Sequence, residues 1–275
     1  MYNTLQEGTS MRNELIKCKR IVIKVGTSTL TYPSGKINFK RMSKLAEVLA
    51  DLTNQGKEIV LVSSGAIGVG VGKLKLTSRP SSVQEKQAIA AVGQVELMHL
   101  YSKFFGEYGY VVAQILLTKD VIEHKTRKNN AKNTFSSLLS KSIIPIVNEN
   151  DTVATDEIEF GDNDTLSAMV SVLIDADLLI ILSDIDGFYD ADPSSNQDAK
   201  LVSSILEVNP AIEKMAGGVT SNRGTGGMIT KLNAAKIVNK VHIPLLLING
   251  SKPEIIYNAL QGENIGSLFG KTNHE

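Results

Sequence analysis

Two lysines stand out by the company they keep. Lys24 lies inside the apolar run RIVIKVG (residues 20–26), and Gly26, Thr27 and Ser28 follow it. An ammonium group inside a core strand is costly unless its charge is paired; on an edge strand it would simply snorkel to solvent. Lys231 closes the loop GTGGMITK (residues 224–231), which runs into a helical pattern. Glycine-rich loops ahead of helices cradle phosphate, because bare backbone N–H groups can point at it. The order is not that of the P-loop, since the threonine precedes the lysine and the loop comes late in the chain. Between the lysines lie two clusters of acids and amides, NEND (148–151) and GDND (161–164). His99, His124, His242 and His274 fall outside every cluster and read as structural or surface residues, so no Ser-His-Asp set is visible. Phosphoryl transfer fits that inventory, because its catalysis is mostly positioning and charge neutralisation. A missing base suits a carboxylate acceptor, which ionises near ~4.3 and has no proton to lose at neutral pH.

The elements that must hold these groups alternate. Short β-branched runs at 20–26, 58–63, 110–117, 143–148, 177–184 and 243–250 read as strands. Helical spacing appears over 38–56, where Met42, Leu45, Leu49 and Leu52 share a face, with Asn38 as cap and Gly56 as terminator. A long helix opens at Ser82 with Glu85 three residues on, and further helices are expected over 165–176 and 228–241. SSGAIGVGVG (63–72) reads as a glycine-rich turn, and TVATDEIEF (152–160) as a small polar hairpin. The pattern predicts an open αβα sandwich with a mainly parallel central sheet. In such sheets ligands sit at the carboxyl ends of strands. Those ends read KVGTSTL, SSGAIG, NENDT and SDIDGFYDADP. The aspartates of the last one, Asp184, Asp186, Asp190 and Asp192, lack the closing glutamate of an EF-hand.

Composition narrows the class. The chain has 275 residues, 42% of them hydrophobic, enough for a large core. Lysine plus arginine and aspartate plus glutamate both total 29, so no net charge draws it to nucleic acid or membrane. Cys18 is the only cysteine, which excludes an internal disulfide. The N-terminus has no apolar signal core, and runs such as LLIIL (178–182) are too short to span a bilayer. A cytoplasmic protein is expected, with residues 1–10 disordered and Met11 as a second possible start beside Met1.

Six stretches in order, IVIKVGTS, LVSSGAIGVG, IVNENDTVAT, FGDNDTLSA, ILSDIDGFYDADP and GTGGMITK, resemble the amino-acid kinase family over about residues 19–269. NEND followed by GDND is most similar to members that phosphorylate the γ-carboxylate of L-glutamate with ATP, the first step of proline biosynthesis. The resemblance implies one domain over 11–271, with an amino-acid lobe over about 11–176 and a nucleotide lobe over about 177–271. It implies that Lys24 and Lys231 neutralise the transferring group and that Asp164 holds them. Ser64, Gly65, Ala66, Asn148, Asp151, Asp162 and Asn163 would bind the amino acid. Ser183, Asp184, Thr225, Gly226, Gly227, Met228, Ile229 and Thr230 would bind ATP together with the two lysines. Magnesium is expected with the ATP, its protein ligands unnamed by the sequence. Proline is the expected feedback inhibitor, and a homo-oligomer, dimer or tetramer, is expected. The chain stops soon after IGSLFG, so the C-terminal PUA-type appendage of many bacterial members is not expected here.

Two rivals share these features. A sibling kinase would act on N-acetylglutamate, aspartate, a nucleoside monophosphate or an isoprenoid phosphate. Asp151 is an anion suited to a free α-ammonium, which an acetylated substrate lacks, and the acceptor loops contain no arginine for a phosphate. A non-catalytic binding protein on the same fold would have no need of Lys24, Asp164 and Lys231 together.

Overall fold

Apolar residues alternate along the central strands and so give each face of the sheet its own core. The computed structural model describes residues 11–32, 36–78, 80–153, 162–216 and 227–270. Its strands are β1 (Arg20–Val25), β2 (Glu58–Ser63), β3 (Val112–Leu117), β4 (Ile144–Glu149), β5 (Leu178–Ser183), β6 (Ser204–Ile205), β7 (Leu245–Asn249) and β8 (Ser267–Phe269). They form one sheet in the order β3-β4-β2-β1-β5-β7-β8-β6. Every neighbouring pair is parallel except β7 with β8. β1 is therefore central, and Lys24 is not an edge lysine.

The helices are α1 (Thr27–Leu30), α2 (Phe39–Asn54), α3 (Ala66–Lys73), α4 (Val83–Gly106), α5 (Lys119–Glu123), α6 (Lys125–Leu139), α7 (Asn163–Leu173), α8 (Pro210–Ala216), α9 (Met228–Asn239) and α10 (Ile255–Leu260). Ile21, Ile23 and Val25 of β1 pack with Met42 and Leu45 of α2 and with Leu97 and Phe105 of α4. Val22 points the other way, towards Leu166 and Val170 of α7 and Leu232 of α9. Helices thus cover both faces of a mainly parallel sheet, an open αβα sandwich.

Local signals explain several boundaries. The Asn38 side chain accepts a hydrogen bond from the Arg41 N–H and starts α2, and Ser82 does the same for Glu85 in α4. α7 begins earlier than its apolar periodicity suggests, because the Asp162 carboxylate caps it by accepting from the Thr165 N–H at 2.9 Å. β6 and β8 are too short to carry a periodic signal. Residues 154–160 of the expected hairpin lie outside the described residues.

The stretch 63–72 corrects the sequence reading. Only Ser64 and Gly65 turn; α3 follows at once. Glycine is a poor helix former, but here packing outweighs that cost. A Cβ on Gly93 would stand 1.7 Å from the Ala66 carbonyl oxygen, and one on Gly70 would stand 2.2 Å from that of Ile89. The glycines let α3 and α4 cross with their backbones in contact. Gly93→Ala is therefore expected to cost about 1–3 kcal/mol or more by overpacking, read as a lower urea midpoint. Gly72 has nothing within 4 Å of such a Cβ. Gly72→Ala should be neutral or stabilise by up to about 1 kcal/mol. Equal stabilities for the two variants would contradict this crossing.

Candidate active site

The parallel register brings the carboxyl ends of four strands together. Lys24 stands beside Val62 of β2 and Ile181 of β5, and Val62 stands beside Val147 of β4. Alternation puts the Lys24 side chain on the same face as Val22, towards α7 and α9. Asp164 is the second residue of α7, where the helix dipole favours a carboxylate. Lys231 lies on the buried face of α9 with Met228, Leu232 and Ala235. The three meet. Lys24 Nζ lies 2.7 Å from Asp164 Oδ1, and Lys231 Nζ lies 3.1 Å from Asp164 Oδ2. The Thr230 hydroxyl also lies 2.8 Å from Oδ2, and it shares its one proton with the Gly227 carbonyl at 2.7 Å.

Asp164 is fully buried, while the lysines keep 8% and 6% of their surface. Burial by itself would raise the Asp164 carboxyl. The charges of Lys24 and Lys231, with hydrogen bonds from Lys24 and Thr230, outweigh it and bring the pKa down to about 2.

Beside the triad lies a polar cluster. Asn163 opens α7, and its Nδ2 donates to Ser64 Oγ at 2.8 Å, to Asn148 Oδ1 at 2.9 Å and to the Ser63 carbonyl at 3.2 Å. Asn148 Nδ2 in turn donates to Gln94 Oε1 at 3.0 Å, and Ser63 Oγ pairs with the Tyr101 hydroxyl at 2.8 Å. Gly65 holds φ at +104°, a left-handed conformation that strains any side chain, and it delivers the chain to Ala66 at the start of α3. Asp151 follows β4, half-buried. No cation or hydrogen-bond donor faces its carboxylate among the described residues, and desolvation pushes its pKa up to about 6. Asp162 is also raised, by burial first and then by Asp164.

On the other side of the triad, Ser183 ends β5 and its hydroxyl lies 3.3 Å from the carboxylate of exposed Asp184. Gly227 caps α9, Ile229 is exposed, and the Met228 side chain packs into the core. Thr225 and Gly226 lie outside the described residues. Gln94, Tyr101 and Ser63 were passed over in the sequence. Their signal is faint: Gln94 is a polar residue in the middle of the buried face that includes Ala90, Gly93, Leu97 and Tyr101. Among the described residues no group of three histidine, cysteine or acidic side chains could hold a metal ion.

Sheet, flanking helices and lysine-lined carboxyl edge define the class. The amino acid kinase family model matches residues 19–249, and the chain belongs to that family. Within it the chain is similar to the glutamate 5-kinase of Clostridium perfringens (strain 13 / Type A), with 60% identity over 263 residues, 94% of this chain and 98% of that one. It is 56% identical over 269 residues to the glutamate 5-kinase of Listeria monocytogenes (EGD-e), covering 96% of this chain and 98% of the relative. The same fold occurs in UMP kinase from Bacillus anthracis, with a TM-score of 0.64 and 16% identity over 92% of this chain and 96% of that one. Isopentenyl phosphate kinase from T. acidophilum superposes with a TM-score of 0.59 and 18% identity, covering 91% of this chain and all of that one, 100%. At such identities these two speak for the fold alone.

The state of Asp151 can be read directly. Carboxyl ¹³C titration of the ligand-free protein should give Asp151 a midpoint near 6, as its desolvation requires. A ligand ammonium beside it would favour the ionised form and lower that midpoint. A midpoint near ~4 in the free protein would mean a solvated aspartate.

Proposed function

We propose that this chain transfers the γ-phosphoryl group of ATP to the γ-carboxylate of L-glutamate, giving L-glutamyl 5-phosphate and ADP, the step that opens proline biosynthesis. The observation that carries the reading is the Lys24–Asp164–Lys231 bridge set directly against the polar cluster of Asn163, Ser64 and Asn148. The 60% identity to a glutamate 5-kinase over almost the whole chain supports the acceptor.

The residues divide the work. The half of the sheet built by β1 to β4 belongs to the acceptor lobe, about residues 11–176, and β5 to β8 belong to the nucleotide lobe, about 177–271. Asp151 pairs with the α-ammonium of glutamate, and Asn163 accepts from it. The N–H groups of Gly65 and Ala66, at the start of α3, take the α-carboxylate, and Ser64 and Asn148 fix the cluster's shape. The γ-carboxylate then points at the lysines. Ser183, Asp184 and the stretch from Thr225 to Lys231 hold the nucleotide.

A carboxylate oxygen bonds to the γ-phosphorus while the bond to the β–γ bridging oxygen breaks, and that electron pair leaves on ADP. No proton must be removed, so the step needs no base. Lys24 and Lys231 offset the charge that two anions bring together, and Asp164 keeps both ammonium groups aimed at it. Magnesium enters as part of the nucleotide substrate. Proline carries an α-carboxylate and a secondary α-ammonium, and as a feedback inhibitor it would compete for Asp151 and Asn163.

Acyl phosphate trapping with hydroxylamine tests the assignment. With ATP and magnesium, L-glutamate should give hydroxamate. N-acetylglutamate, which cannot ion-pair with Asp151, should be poorer by about tenfold or more, the worth of one charge-assisted contact. Preference for the acetylated acceptor, or ADP release only with phosphate acceptors, would overturn it.

A further inference from the structure

We infer that Gln94 is a positioning residue that holds the amino-acid site in place through Asn148 and Asn163. The inference rests on the reading of Asn163 as part of the glutamate site. Three amides stand in line. Gln94 Oε1 accepts from Asn148 Nδ2, and Asn148 Oδ1 accepts from Asn163 Nδ2. Each amide has a donor end and an acceptor end, so fixing one fixes the next. Asn163 spends its nitrogen on Asn148, Ser64 and Ser63, which leaves its oxygen as the end for a ligand. An oxygen is what an α-ammonium needs.

Take away the Gln94 oxygen and the buried Asn148 nitrogen loses the acceptor that holds it. Asn163 keeps its orientation, because its nitrogen also donates to the Ser63 carbonyl, but the Asn148 oxygen it leans on is no longer fixed in place. The acceptor presented to the ligand then shifts from the position an ammonium needs.

Gln94 is held well enough to impose this order. It is buried, and its neighbour Gly93 is locked in the backbone contact between α3 and α4. α4 thus acts as a rigid rail behind the site. Two turns further on, the same face presents Tyr101 to Ser63, the residue before Ser64. A hydrophobic residue would fill the Gln94 position as well for packing alone; only its oxygen orients Asn148.

Two variants separate orientation from packing. Gln94→Met keeps the length and loses the acceptor. Gln94→Glu keeps an acceptor and loses the donor end. For Gln94→Met the KM for glutamate should rise about tenfold or more, the worth of one oriented polar contact, while the KM for ATP stays within about twofold of the parent's. Gln94→Glu, assayed where its carboxyl is ionised, should keep the glutamate KM within about threefold. The side-chain amide NMR signals of Asn148 and Asn163 should move in Gln94→Met and hold in Gln94→Glu, whatever acceptor the enzyme uses. That readout stands even if the hydroxylamine assay rejects glutamate. Unmoved amide signals in Gln94→Met, or both KM values shifted together, would overturn the inference. So would a Gln94→Glu protein as impaired as Gln94→Met. If Gln94→Met does not fold, Gln94→Glu decides alone, since a lost glutamate KM there means Gln94 does not act as an acceptor.

Discussion

A carboxylate buried between two ammonium groups is the constraint on which the rest of the structure depends. Asp164 has no exposed surface, and an isolated charge there would be strongly disfavoured. It is tolerable only because Lys24 comes from the central strand and Lys231 from α9, so three distant parts of the chain must arrive together. The sign of the linkage follows. The folded pKa of about 2 lies below the ordinary value of 3.8, so the stabilisation is present above the ordinary value and is lost as pH falls through the folded one. The same bridge gathers two cations at the edge of the sheet where strand ends and helix starts converge.

The alternation of strands and helices, and the clustering of polar residues at strand ends, were legible in the sequence because burial on both sheet faces demands apolar runs. The lysines were legible for the same reason, since Lys24 violates such a run. The helical nature of residues 66–73 was not. Glycines argue locally against a helix, and the contact that reverses the argument comes from Gly93, on another helix. Nor was the amide line from Gln94 to Asn163 legible, because it joins residues 54 and 15 positions apart whose pairing only the fold creates. Nor was the cap that Asp162 forms on α7 legible, because the apolar periodicity of that helix begins only after it.

The amide cluster and the lysine pair are joined by one short helix start. Asp162 caps α7, Asn163 reaches into the amide cluster and Asp164 holds the lysines, so three consecutive residues set the helix, the amides and the cations in one geometry. Loose placement of that turn would blur both halves of the site at once. This explains why α7 is packed beneath β1 and against α9, with Ser167 and Ser171 satisfying their hydroxyls inside the helix by bonds to the carbonyls of Asp164 and Ser167.

The most direct test of this account is the unfolding free energy of Asp164→Asn beside that of the parent protein, measured in urea near neutral pH. The substitution keeps the shape and removes the charge, which leaves two buried lysines facing each other. The account predicts a loss of about 3–5 kcal/mol, the usual cost of breaking a buried ion pair from one side. An Asp164→Asn protein as stable as the parent would contradict it, for then the carboxylate would not be what holds Lys24 and Lys231 together.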